Sequence, residues 1–198
     1  MSATSAPFGL RPAFHPSGLD RAQALANGIP SGFNTDIFKG QPVRYQTTAI
    51  GGTIGTITPA TTSGAWSGAF AGVQWTDTTG RARVSNTWPA NTAYTTGSCV
   101  AYFYNDQNIV YEIQADGSMA QTTIGNEYLF TNVTAGSSTT GLSQATLGAS
   151  TAVGNGAQGQ MRVVDLGQGV DNAWGDAYTV VRVVNSNSQM FGAFTAFA

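Results

Sequence analysis

From Ile37 onward the apolar residues fall in short runs separated by turn formers, the pattern of β-strands rather than helices. The runs predict strands at Pro42–Thr47, Ala69–Thr76, Arg81–Ser85, Cys99–Tyr104, Ile109–Gln114, Glu127–Asn132, Gln160–Asp165 and Ala177–Asn185. Asp77-Thr78-Thr79-Gly80 joins two of them as a hairpin loop, and Asp116-Gly117 marks a second turn. Ile109, Tyr111 and Ile113 share one strand face, with Val110, Glu112 and Gln114 on the other, which predicts a half-buried strand. Over Tyr178–Asn185 both faces are mostly Val or Thr, with Arg182 the exception, so that strand is expected at the centre of its sheet and covered on both sides. Ile50–Ser67 and Ala135–Gly159 are long loops by this pattern, held by scattered anchors such as Ile57, Trp66 and Leu147.

The first third reads differently. Five of the seven prolines, Pro7, Pro12, Pro16, Pro30 and Pro42, lie there, each removing a backbone donor. Ser17 and Asp20 have capping-box-like spacing, Asp20–Ala26 reads DRAQALA, and Gly28 follows as a stop, so one helix of about two turns is expected. Phe8, Leu10, Phe14, Phe33 and Phe38 need a surface to cover them. The reading is an all-β protein: an antiparallel β-sandwich or small β-barrel over residues 37–198, preceded by an irregular, Pro-rich N-terminal arm over residues 1–36 that carries one short helix.

Composition narrows the chemistry. Only 9% of the 198 residues are charged, against about 25% in ordinary domains, while Gly, Ser, Thr, Asn and Gln make up 90 residues. The surface is polar without being ionic. A net charge of −2 and no basic cluster argue against direct nucleic-acid binding. Met1–Leu10 has neither the basic nor the apolar region of a signal peptide, and the longest apolar run, Cys99–Tyr104, is far short of a membrane span.

Catalytic and cofactor signals are weak. His15 is the only histidine and Cys99 the only cysteine, which leaves no Cys/His metal site and no internal disulfide. A carboxylate pair drawn from Glu112 and Glu127, or from Asp106 and Asp116, is an accident of composition. Gly154-Asn155-Gly156-Ala157-Gln158-Gly159 matches a dinucleotide fingerprint by letter, but a loop precedes it and a strand follows it. Asp171–Asp176 lacks the alternating oxygen ligands of a calcium loop. No catalytic, metal or cofactor site is expected.

Four phrases together carry a resemblance: Ser5-Ala6-Pro7-Phe8-Gly9-Leu10-Arg11-Pro12, Gly40-Gln41-Pro42-Val43, Val110-Tyr111-Glu112-Ile113-Gln114-Ala115-Asp116-Gly117 and Thr140-Gly141-Leu142-Ser143. In these the chain resembles head-decoration, or cement, proteins of tailed bacteriophages, departing from the pattern at Gln107, where a proline would follow the aspartate. The resemblance implies a virion structural protein on the outer capsid surface, made in the host cytoplasm. It further implies a homotrimer bound to the major capsid protein and reinforcing the shell against internal DNA pressure. The residues expected at subunit or capsid contacts are Pro7, Phe8, Leu10, Arg11, Phe14, Phe33, Phe191, Phe194 and Phe197, the last three in the charge-free stretch Met190–Ala198. The rival is a phage receptor-binding or carbohydrate-binding module in which Trp66, Trp75, Trp88 and Trp174 would stack on sugars; Trp75 alternates with Val73 and reads as core, while Trp66 and Trp88, beside Gly, Ser or Pro, are the candidates for exposed platforms.

Overall fold

The computed structural model describes residues 4–18, 22–47 and 53–191. Its strands are β1 (Arg11–Phe14), β2 (Gln23–Ala26), β3 (Pro42–Tyr45), β4 (Ile57–Pro59), β5 (Gly68–Thr76), β6 (Ala82–Ser85), β7 (Val100–Tyr104), β8 (Val110–Gln114), β9 (Glu127–Tyr128), β10 (Phe130–Thr131), β11 (Thr146–Leu147), β12 (Met161–Leu166) and β13 (Val180–Asn185). A 3₁₀ turn at Gln121–Thr123 accompanies them. The strands pair antiparallel in a first sheet ordered β1-β8-β13-β12-β9, a second ordered β2-β7-β5-β3-β4 with β6 beside β5, and the small ribbon β10-β11. Among the described residues no sheet closes into a barrel, and the arrangement is that of a β-sandwich.

Every strand expected from the pattern is present, with most ends trimmed, β5 starting at Gly68 and β12 reaching Leu166, and with Glu127–Asn132 broken at Leu129 into β9 and β10. The helix is not. Asp20 and Arg21 lie outside the described residues, and Gln23–Ala26 is a strand, paired residue for residue with Val100–Phe103 of β7. Gln23 and Leu25 are half-buried while Ala24 and Ala26 are exposed, and Leu25 packs on a core cluster. A two-turn helix is unstable alone, whereas these residues complete a ladder with an existing strand.

The N-terminal segment is built into both sheets: β1 is the edge of the first and β2 the edge of the second. Leu10 is buried in the first core cluster with Trp66, Tyr111, Phe130, Val163 and Val183, and Phe38 is buried as well. The second cluster gathers Ile29, Ile37, Val43, Phe70, Val73, Trp88 and Phe103. β13 lies between β8 and β12, central as its Val-rich pattern predicts, but only the face of Val181, Val183 and Asn185 is buried, and Val180, Arg182 and Val184 on the other face are half-buried.

Strand β8 departs from the half-buried expectation, because Tyr111, Glu112, Ile113 and Gln114 are all buried. The first sheet covers Glu112 with arginines from both neighbouring strands, and Gln114 with residues 4–6.

Gln114 shows why so uncharged a chain holds together. Its side-chain Oε1 accepts from the Ala6 N–H at 2.9 Å and its Nε2 donates to the Thr4 carbonyl at 3.1 Å, so one amide substitutes for a missing backbone partner. Gln41 likewise accepts from the Phe38 N–H and donates to the Val133 carbonyl. Gln189 accepts from the Tyr45 N–H and donates back to the Tyr45 carbonyl, fastening the end of the described chain to β3. Gln160 accepts from the Phe130 N–H and donates to the Thr61 and Gly64 carbonyls. A carboxylate or ammonium has only one half of this bonding capacity, and burying it would cost more.

Candidate functional site

The N-terminal phrase Ser5–Pro12 is held from two sides. On one side Arg11 and Pro12 pair with Glu112 and Tyr111 of β8. On the other, the Leu10 N–H donates to the Gly40 carbonyl at 2.7 Å. Lys39 in turn bridges to the Thr140–Ser143 stretch, its N–H donating to the Gly141 carbonyl and its carbonyl accepting from the Ser143 N–H. Gly9 makes this junction possible. Its φ of +72° lies in the left-handed region, and a Cβ there would stand 2.5 Å from the Gly40 oxygen and 2.7 Å from Ser143 Cβ.

A cleft of about 220 Å³ opens at this junction, lined by Phe8, Leu10, Arg11, Pro12, Lys39, Gly40, Phe70, Tyr104 and Leu142. Its walls are largely apolar, and its charged groups are both cationic. The Arg11 guanidinium lies 4.8 Å from the centre of the Phe8 ring and donates to Glu112 Oε2 at 2.6 Å, leaving its side chain 60% exposed. Lys39, the chain's one lysine, is exposed and has no ion-pair partner among the described residues.

Behind the cleft, Glu112 is buried and accepts from Arg11, from the Gln168 N–H at 3.2 Å and from Arg182 Nε at 3.4 Å. Burial alone would raise its pKa, but the hydrogen bonds and the nearby Arg11 charge outweigh that and hold it below the ordinary glutamate value of 4.5. A depressed folded-state pKa adds stability that is present above 4.5 and lost as the pH falls through the folded value. Asp106, lowered first by the Asn108 N–H, acts in the same direction. Urea unfolding is therefore expected to show stability declining below pH 4.5, with a shallower acid slope in Glu112→Gln; equal slopes would remove Glu112 from the acid limb.

Of the expected contact residues, Phe8, Leu10 and Arg11 line the cleft, and Pro7 sits half-buried beside them. Phe14 is 56% exposed at the far end of β1. Phe33 packs on the second core cluster, away from this junction. Phe191 is exposed, and Phe194 and Phe197 lie outside the described residues. Pro12, Lys39, Gly40, Phe70, Tyr104 and Leu142 complete the cleft, and the sequence pattern marks none of them as a contact. Pro12, Gly40 and Leu142 belong to the resembling phrases; Phe70 and Tyr104 read only as strand residues.

The expectation of exposed tryptophans fails, since Trp66 and Trp88 are both 0% exposed. Trp66 packs on Tyr111 and Phe130, and Trp88 on Trp75 and Tyr94. Glu112 and Glu127 sit on β8 and β9, three strand spacings apart or about 14 Å, beyond the roughly 5–9.5 Å of a glycosidase pair. Glu127 is instead tied to Arg162 and the Gly159 N–H. Residues 154–159 stay a loop leading into β12, with no helix to receive a phosphate.

His15 does find a serine and an acid. Nδ1 accepts from the Ser17 N–H at 3.0 Å with Ser17 Oγ at 3.2 Å, and Nε2 stands 3.2 Å from Asp106 Oδ2. At that distance Nε2 is not aligned for a hydrogen bond to the carboxylate. Ser17 is two residues from His15 and its own N–H takes the Nδ1 lone pair, so the group clasps a turn to the loop before β8 rather than activating a nucleophile.

Cys99 is fully buried and burial pushes its thiol pKa up, the environment of a packing residue.

No family model, no curated protein and no solved structure matches the chain.

Proposed function

We propose that this chain is a virion structural protein that decorates and stabilises the outer surface of a tailed-phage capsid, bridging capsid subunits as a homotrimer without catalysis. The observation that supports this most is the meeting of the four resembling phrases. Far apart in sequence, they come together where Gly9 touches Gly40 and Ser143, where Lys39 bridges Leu142, and where Arg11 and Ala6 bind Glu112 and Gln114. Three of the phrases line one apolar cleft while the fourth backs it.

A surface of amides and hydroxyls suits a protein that must lie flush on many neighbours, because such groups re-pair cheaply while desolvated charges do not. The carbohydrate-binding alternative loses Trp66 and Trp88 as platforms.

Co-sedimentation of the purified protein with expanded, undecorated capsids of the phage that encodes it tests the reading. Saturable binding at a fixed copy number per capsid is expected, and sedimentation of the free protein should give a trimer. Absence of binding at micromolar protein would overturn the decoration role; a stable monomer at high concentration would overturn the trimer alone.

A further inference from the structure

We infer that the cleft between β1 and the Lys39–Gly40 turn receives an extended acidic segment of the capsid protein, with one apolar side chain seated in the cleft and a carboxylate beside Arg11 and Lys39. The inference rests on the decoration reading and names the contact through which it would work.

The size of the cleft speaks first. At about 220 Å³ it is smaller than the roughly 300–1,000 Å³ of small-molecule sites, and it suits one or two side chains of a partner chain. Its walls speak second. Phe8, Leu10, Pro12, Phe70 and Leu142 offer an apolar pocket at the edge of the first sheet, where Pro12 blunts ordinary strand addition and leaves side-chain recognition as the available mode.

Charge decides the partner's chemistry. Arg11 spends one nitrogen on Glu112 and remains exposed, while Lys39 has no ion-pair partner among the described residues. In a chain with only 8 lysines and arginines, two cations at one apolar cleft are an uneven allotment. Glu112, the acid nearest to Arg11, is buried behind the guanidinium, so the groups facing outward at the rim are positive. An anionic segment would be attracted and a cationic one repelled.

The test compares wild type with Lys39→Glu, Lys39→Arg and Leu142→Trp, the last filling the cleft, by co-sedimentation with expanded capsids at low and high salt. Wild type and Lys39→Arg are expected to bind alike. Lys39→Glu and Leu142→Trp should bind at least tenfold more weakly with the same melting temperature, and the wild-type affinity should fall with salt. If Leu142→Trp lowers the melting temperature, the exposed Lys39→Glu substitution carries the test. Equal binding by all four proteins overturns the cleft as the docking site and leaves decoration standing. No binding by wild type removes the decoration reading and this inference with it. If the variants bind poorly because the free protein loses its oligomeric state, the occupant is a second copy and the inference is overturned.

Discussion

Replacing Gln160 by leucine should lower the unfolding free energy by about 2–4 kcal/mol, because a buried group stranded without its partner costs about 1–3 kcal/mol and this one side chain serves three. Gln160 is 0% exposed. Its loss strands the Phe130 N–H in the core, and the Thr61 and Gly64 carbonyls, which lie nearer the surface, can recover water. Leucine has nearly the same volume, so little cavity forms and the effect reports the hydrogen bonds. The Gln160 backbone carbonyl also accepts from Trp66 Nε1, and any shift of β12 would disturb that ring in the first core cluster. Denaturant titration should show an earlier midpoint with an unchanged slope. Gln121→Leu, at an exposed position, should change stability by no more than about 0.5 kcal/mol. If the two variants are equally stable, the glutamine amides are not what holds the loops to the strands.

The second large effect is expected at Gly9. An alanine there must adopt a φ of +72°, which costs about 1–2 kcal/mol for an L-residue, and must also push aside the Gly40 carbonyl and Ser143. Gly32 separates the two causes. Its φ is +73°, and a Cβ added there would meet nothing within 4 Å, so Gly32→Ala should cost the conformational part alone. Gly9→Ala should cost more than Gly32→Ala and should make the Leu10–Gly40 junction sensitive to protease. It should also abolish capsid binding, since Phe8, Leu10 and Arg11 would no longer frame the cleft. Equal losses in the two variants would show that the close approach at Gly9 contributes nothing.

How far the fold was legible follows from the range of each signal. Period-two alternation and turn residues act within a few positions, which is why β3, β5, β6, β7, β8, β12 and β13 and the Asp77–Gly80 hairpin were visible in the sequence. The short strands β4 and β11 were hidden in loops rich in Gly and Thr, where two or three paired residues leave no periodic trace. Gln23–Ala26 read as helix because Ala, Leu and Gln favour helices locally, while the partner that makes it a strand lies more than seventy residues away in β7.

The candidate site divides in the same way. Phe8, Leu10 and Arg11 could be named from the chain because an apolar, Pro-rich segment must be covered by something. Lys39, Phe70, Tyr104 and Leu142 could not, since only the packing of β5, β7, the Lys39–Gly40 turn and the Thr140–Ser143 stretch against the N-terminal strand puts them around one cleft. Trp66 and Trp88 show the opposite error: their Gly, Ser and Pro neighbours suggested exposure, and the sheets bury them completely.

By itself, then, the sequence determined the all-β class, the turn positions, the scarcity of charge and the dependence on neutral hydrogen-bonding groups, because each of these is a local or compositional property. Tertiary structure alone decided which sheet edge the N-terminal segment joins, which glutamines become substitutes for backbone, and where Arg11 meets Glu112 across 101 residues of chain. Those outcomes depend on non-local pairing, where each contact is favourable only after the strands on either side of it have already been brought together.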